Sequence, residues 1–135
     1  MRAFRFAQAR VRGEQPAPPR VARLTGVELI LRINNTPVAR GQSWGGEGSL
    51  GVACDALLAE LERSLPPGRD VVEADHRASL VASATMTMEL AGAMVPMRCE
   101  TFADAAGVTE PGLDAILVRK GETTTGMFPL WVLGS

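Results

Sequence analysis

Hydrophobic and polar residues alternate most regularly along residues 27–33, which predicts a β-strand with one buried face. The aliphatic residues of that face are Val27, Leu29, Leu31 and Ile33. A turn over residues 34–37 follows, because asparagine tolerates left-handed backbone and proline fixes its own φ. Residues 38–43 then return as a second strand, so the stretch 27–43 predicts a β-hairpin.

A helical spacing begins after the glycine-rich loop 44–48. Apolar residues recur every three or four positions from Leu50 to Leu65, with charged residues between them, as on an amphipathic helix. Ser49 is the predicted N-cap, since its hydroxyl can accept a hydrogen bond from a free amide of the first turn. The run Pro66-Pro67-Gly68 ends this helix.

The C-terminal half of the chain predicts shorter elements. Residues 70–77 are ambiguous and fit a short strand and turn, whereas alternation resumes over residues 80–90 and predicts a long strand. The remaining elements, in chain order, are a loop over 92–98 whose Met94, Val95 and Met97 tuck inward, a short helix over 101–106, and two hairpin strands over 113–119 and 123–128.

The order of these elements predicts an α+β fold. Strands and helices do not alternate as βαβ units, so we expect a mostly antiparallel sheet with one main amphipathic helix and short flanking helices. Residues 1–24 are predicted to form a basic, proline-containing N-terminal lead-in that begins with a short helix, and residues 25–135 a single domain. Whether Ser135 is the natural end of the chain, and whether the lead-in is ordered, stay open.

Charge is distributed unevenly along the chain. Residues 1–40 carry a net charge of +6 and residues 41–135 a net charge of −7. Such asymmetry is typical of a basic arm that meets phosphate or an acidic partner, or of an arm that packs on its own acidic body. Nucleic acid is the less favoured partner, because thirteen arginines against one lysine also fit the codon usage of a GC-rich genome.

Several classes of protein are disfavoured. No apolar run approaches the roughly 18 residues of a membrane span. The N-terminus lacks the apolar segment of a secretory signal, so a cytoplasmic location is expected. The cysteines, Cys54 and Cys99, form no CxxC pair and are predicted to be reduced, buried thiols. With His76 as the one histidine, in a charged stretch, we expect no metal, no cofactor and no histidine-based triad.

Anion binding is the chemistry that the glycine-rich loop 44–48 favours, because free amides and the dipole of the following helix attract negative charge. Arg40, at the end of the strand leading in, is the natural cationic partner. The alternative is a plain flexible connection, since no phosphate-loop motif is present and Glu47 would repel an anion. Asp114 is a site residue if it is buried near Arg40, and a turn-adjacent acid if it is exposed.

Two residue types admit a functional or a structural interpretation. Trp44, Phe128 and Trp131 could stack on a base or form a partner's pocket, whereas Trp131 more simply anchors the C-terminal tail. The methionines could bind a soft metal or form a plastic surface, but at strand spacing they are typical of core packing. They are Met86, Met88, Met94 and Met97.

Two segments resemble the AMMECR-type domain, named for the AMME chromosomal region candidate protein. They are Ala39-Arg40-Gly41-Gln42-Ser43-Trp44 and Pro111-Gly112-Leu113-Asp114-Ala115-Ile116-Leu117-Val118, with Met127-Phe128-Pro129 matching the apolar end of the family. The likeness spans roughly residues 27–133, with Gln42 where the family has a cysteine. It implies an antiparallel sheet with flanking helices and an Arg-Gly turn lining a cleft.

These observations lead to three functional hypotheses. The first is a small cytosolic domain that binds an anionic or nucleotide-like ligand in a cleft formed by Arg40, Gly41, Ser43, Trp44 and Asp114. The second is a metal-independent enzyme that uses Arg40 and Asp114, provided that the two side chains converge. The third is a protein-interaction or homodimerising module that uses the apolar C-terminal tail, residues 128–133.

Overall fold

A computed structural model describes residues 2–65, 67–110 and 112–129, apart from the side chain of Phe102. Within these ranges the chain has the predicted α+β fold. The helices and strands, in chain order, are α1 (Arg2–Val11), β1 (Gly26–Ile33), β2 (Thr36–Ser43), α2 (Ser49–Ser64), α3 (Val71–Ala82), β3 (Thr85–Ala91), α4 (Phe102–Val108), β4 (Ile116–Lys120) and β5 (Thr123–Met127).

The main sheet has three antiparallel strands in the order β2-β1-β3, and β4 with β5 forms a separate two-stranded hairpin. Leu29 of β1 lies opposite Gly41 of β2 on one side and Met88 of β3 on the other. Because β1 is central, seven of its eight residues are buried. The predicted hairpin over 27–43 and the mostly antiparallel sheet are therefore confirmed.

Helix α2 packs on one face of β1 and β2 and forms the core with them. The contact is close at Gly41, where an added Cβ would lie 1.9 Å from the carbonyl oxygen of Ala53 and 2.7 Å from the amide of Leu57. Strand backbone therefore meets helix backbone with no side chain between them. The amphipathic helix predicted from Leu50 onward is confirmed, and Leu50, Leu57 and Leu61 are buried in the core.

Helix α1 joins the same core, as Ala3, Phe6 and Ala7 are buried within it. The short helix expected at the start of the chain is thus confirmed, with small alanines in place of an aliphatic stripe. Two arginines of the basic segment, Arg10 and Arg20, pair with acids of the body at 2.6 and 3.4 Å. The division into a lead-in and a domain at residue 25 stays a prediction.

The strand predicted over 80–90 is partly wrong, because its first residues belong to α3. Asp70 caps that helix by accepting a hydrogen bond from the amide of Glu73 at 2.8 Å. Alternating alanine, serine and valine fit a helix as well as a strand, so the cap decides the outcome. Strand β3 begins only at Thr85.

Three smaller predictions need correction. Gly48 is the N-cap of α2, and Ser49, inside the helix, donates its hydroxyl to the carbonyl of Thr25 at 3.4 Å. Cys54 is buried as predicted, but Cys99 is exposed. The residues expected to tuck inward from the 92–98 loop are exposed, because no element of the described ranges covers that loop; they are Met94, Val95 and Met97.

No helix within the described ranges is both long enough and apolar enough to cross a bilayer.

Candidate functional site

Arg40 and Gly41 lie within strand β2, not in a turn as the family resemblance implied. Arg40 sits opposite Ile30 of β1, and its backbone amide donates to the Glu60 carboxylate at 2.9 Å. Gly41 is covered by α2, so a ligand cannot reach it. Ser43 ends the strand opposite Val27. The pairing of β2 with β1 therefore places this segment in the sheet and not in a turn.

The loop 44–48 connects β2 to α2 through a 3₁₀ turn over Gly46–Gly48. The amide of Gly46 donates to the carbonyl of Thr25 at 3.1 Å, and the Glu47 carboxylate lies 3.4 Å from Arg20. One amide that an anion would need is therefore already bonded, and a carboxylate stands beside it. The arrangement favours the structural interpretation of this loop.

Trp44 ties the β4–β5 hairpin to the main sheet. An added Cβ at Gly26 of β1 would lie 2.4 Å from the indole, and one at Gly126 of β5 would lie 2.3 Å from it. Phe128 stacks on the indole with ring centroids 4.4 Å apart and planes inclined by 22°. Phe128 is buried, so it is an internal anchor of the hairpin and not part of an exposed tail. Residues 130–133, and Trp131 with them, lie outside the described residues.

Asp114 is exposed and lies in the turn before β4, where its carboxylate accepts the amide of Glu110 at 2.8 Å. It therefore stabilises a turn. Asp114 and Trp44 both line a cleft of about 1070 Å³ between β3 and the β4–β5 hairpin, which we call the hairpin cleft. Arg40 is not among the described residues that line it, so the structure does not bring Arg40 and Asp114 to one site.

Large apolar side chains gather around the hairpin cleft. Six of them are between 41 and 85 % exposed: Leu90, Met94, Val95, Met97, Val108 and Leu113. Apolar surface of this kind is typical of contact sites rather than of open solvent-facing surface.

A second cleft, of about 860 Å³, lies between α1, α2, α3 and β3. We call it the arginine cleft, because three arginines line it: Arg10 at the end of α1, Arg12 in the turn after it, and Arg77 from α3. Glu62 is the one acidic side chain among the described residues that line it. Gln8 and Gln15 also line it, and most of the remaining surface is aliphatic side chains and alanines of α2, α3 and β3.

Arg10 is held in place at the edge of this cleft. One guanidinium nitrogen lies 2.6 Å from the Asp55 carboxylate, and the other donates to the side-chain oxygen of Gln15 at 2.7 Å. Its Nε is buried and has no acceptor among the described residues. Arg10 therefore contributes positive charge to the edge of the cleft, while its guanidinium is held by Asp55 and Gln15.

The other two arginines differ in their partners. Arg77 pairs with Glu62, whose side chain is 66 % exposed. Arg12 is exposed and makes no ion pair with any described residue. Positive charge thus exceeds negative charge around the cleft.

Nucleophilic chemistry finds no support beside Arg10. Cys54 lies near it, but burial raises the pKa of the Cys54 thiol to about 11, against the opposing effect of the Arg10 guanidinium. The thiol therefore stays protonated at neutral pH. His76 is exposed on α3 and lines neither cleft. No group of three histidine, cysteine or acidic side chains suited to a metal ion occurs in the described part of the chain.

Sequence reasoning missed the arginine cleft. The charge asymmetry identified Arg10 and Arg12 as part of a basic arm, but it carried no information on where that arm packs. Arg77 lay in a stretch whose structure was ambiguous. The Asp70 cap, which places Arg77 on a helix, was the signal that could have brought it into the set.

No family model matches the chain, and neither the curated proteins nor the solved structures contain a match to it.

Proposed function

We propose that this chain is a binding domain for a small anionic ligand and that the arginine cleft is its site. The observation that supports this most is Arg12, an exposed arginine that lines the cleft and makes no ion pair with any described residue. A carboxylate or phosphate oxygen is the acceptor that a guanidinium prefers. The cleft is also of the size that small-molecule sites commonly have, roughly 300–1,000 Å³.

Arg12 and Arg77 add to this attraction. Arg12 needs no rearrangement to meet an anion, since it has no ion-pair partner among the described residues. At Arg77 a ligand anion would compete with the Glu62 carboxylate. An ion pair with so exposed a carboxylate contributes no more than about 1 kcal/mol to stability. A ligand anion can therefore compete for Arg77 at small cost.

The proposal keeps the expected class of ligand and moves the site. The proposed cationic residues are Arg10, Arg12 and Arg77, which line the arginine cleft. Arg40, the cationic residue expected from the sequence, lies in strand β2. The enzyme hypothesis loses its basis, because it required Arg40 and Asp114 to converge.

The proposal is tested by thermal unfolding in the presence of phosphate, short carboxylates and nucleotides. A ligand that binds only the folded chain raises the unfolding temperature with its concentration. We expect a rise that Arg12→Ala weakens. Arg5→Ala is the matched control, because Arg5 is an exposed arginine of α1 that does not line the cleft. A rise that Arg40→Ala abolishes and Arg12→Ala leaves intact would contradict the proposed site.

A second candidate function is self-association through the hairpin cleft, favoured by its six exposed apolar side chains. Leu113, 70 % exposed, is the residue to change. Sedimentation should show a dimer that Leu113→Glu converts to a monomer, whereas a wild-type chain that is monomeric at high concentration would exclude this function.

We also propose that the chain is a divergent AMMECR-type domain. The support is the order of the resembling segments along the chain: Arg40-Gly41, then the helix α2 after the 44–48 loop, and later the β4–β5 hairpin followed by Phe128-Pro129. The placement of Arg40-Gly41 in strand β2, and not in a turn, is a departure from the family pattern. An experimental structure whose strand order differs from that of the family would contradict this assignment.

A further inference from the structure

The chemical character of the arginine cleft is divided between its structural elements. The end of α1 and the turn after it contribute polar side chains, namely Arg10, Arg12, Gln8 and Gln15. Apart from the Arg77–Glu62 pair, the side chains from α2, α3 and β3 that line the cleft are aliphatic, alanine or methionine. A ligand that fills this space therefore meets charge on one side and hydrocarbon on the other.

Helix α3 leaves room beside the hydrocarbon surface. Ala74, Ala78 and Ala82 recur every fourth residue, which places them on one face of the helix, and all three line the cleft. Their methyl groups are too short to fill the gap to α2. Helix α3 has no fully buried residue in the described chain, and it contacts the core through half-buried Leu80 and Val81 near its end.

The floor of the cleft is apolar. Leu31 and Leu61 are 2 and 3 % exposed, and they line the cleft together with half-buried Val81 and Met86. Methionine adapts its shape to different apolar partners. No aromatic side chain is among the described lining residues, so a nucleobase would find no stacking partner here.

We propose that the ligand is an amphiphile with an unbranched hydrocarbon chain and an anionic head. The head binds Arg10 and Arg12, and the chain lies between the alanine face of α3 and the surface formed by Leu61 and Met86. This inference rests on the proposed function and specifies its ligand class. A free alkyl carboxylate and an anionic lipid share this chemistry, and the test separates them.

The test is a calorimetric titration of the full chain with alkyl carboxylates of increasing length, kept below their micelle-forming concentrations. Burial of each added methylene should raise the affinity about fourfold until the cleft is full. Arg12→Ala should weaken binding of every length. Ala78→Leu should abolish the dependence on length, because the larger side chain occupies the hydrocarbon side of the cleft.

Ser79→Leu is the matched control for the filling variant. It adds the same side chain to an exposed position of α3 that does not line the cleft, so it should bind as the wild type does. Circular dichroism of both variants establishes that α3 is retained.

The outcomes separate this inference from the proposed function. Binding of phosphate and acetate that depends on Arg12, with no gain from longer chains, would overturn the amphiphile and leave the anion site standing. Absence of binding by every anion would overturn both. Vesicles of anionic phospholipid form the second arm: binding to vesicles but not to dispersed carboxylates would contradict a single chain held in the cleft.

Discussion

The two halves of this chain differ sharply in how they are stabilised. Residues 2–65 supply every buried apolar side chain of the described chain except Phe128. Among the described residues from 67 to 127, none is buried. The N-terminal half folds around a shared core, whereas the C-terminal half depends on backbone pairing and a few anchors. The proposed binding site lies at the junction, because residues of both halves line the arginine cleft.

The largest expected effect is a loss of stability in the N-terminal half. Gly41→Ala should destabilise the chain by roughly 3 kcal/mol, since the new methyl group would meet the backbone of α2 and neither backbone can move aside easily. The free energy of unfolding in urea measures this.

Gly51→Ala is the control for that substitution. Gly51 lies in α2 and an added Cβ would meet nothing within 4 Å, so the chain should become more stable by about 0.5–1 kcal/mol. Equal stabilities of the two variants would contradict the close contact of α2 with β2.

A smaller effect should separate the C-terminal hairpin from the sheet. Gly126→Ala places a methyl group against the indole of Trp44 and should weaken the attachment of β4–β5 by about 1–3 kcal/mol. Amide hydrogen exchange should rise across β4 and β5 and stay slow in β1. A matched variant, Gly107→Ala in α4, has open space around it and should leave these rates unchanged. Uniform acceleration in both sheets would show that the hairpin is not held separately.

Cysteine reactivity compares the burial of the two halves without altering the fold. Cys99 in the exposed half should react with an alkylating reagent in the native chain, whereas Cys54 should not. Burial raises the pKa of Cys54 from 9.0 to about 11, which at neutral pH lowers its thiolate fraction about a hundredfold. Mass spectrometry of native and urea-unfolded samples locates the modification. Comparable native rates at both sites would contradict the packing of α2.

The smallest effect concerns α4. The Thr101 hydroxyl and amide donate to Asp104, which holds the pKa of that carboxyl below its ordinary 3.8. Because folding lowers this pKa, the Asp104 carboxylate is ionised and the cap is fully formed at pH values above the ordinary pKa. The cap is lost as the pH falls through the lowered pKa and the carboxylate takes up a proton. The amide shifts of α4 should follow this titration by NMR. In Asp104→Asn they should be independent of acid pH, and an unchanged titration would exclude the cap.

The predictability of the fold follows the same division. The strand β1 and the helix α2 could be predicted because each buries one clean face and α2 ends at an unambiguous Pro-Pro-Gly. Helix α3 was harder to predict, because its alanines, serines and valines fit either structure and its apolar residues are at most half-buried. The Asp70 cap was its clearest local signal. The Met94–Met97 stretch was placed inward on composition alone, although nothing in the described chain covers it.

The sequence could predict the charge of the expected ligand but not the position of the proposed site. The excess of arginine before residue 41 indicated an anionic partner, yet Arg77 joins Arg10 and Arg12 through tertiary packing across more than sixty residues. Arg40 was favoured because it precedes a glycine-rich loop, a local cue that the pairing of β2 with β1 overrides. Local patterns give residue types, and the packing of α1 against α2, with α3 across the cleft, gives their meeting point.

The most direct test of the anion site in the arginine cleft is an NMR titration of the labelled chain with octanoate. We expect the largest amide shifts at the end of α1, along the alanine face of α3 and at the start of β3, with Arg10 and Arg12 among the residues affected. Saturating shifts confined to Arg40 and the 44–48 loop, with α1 and α3 unchanged, would contradict the account.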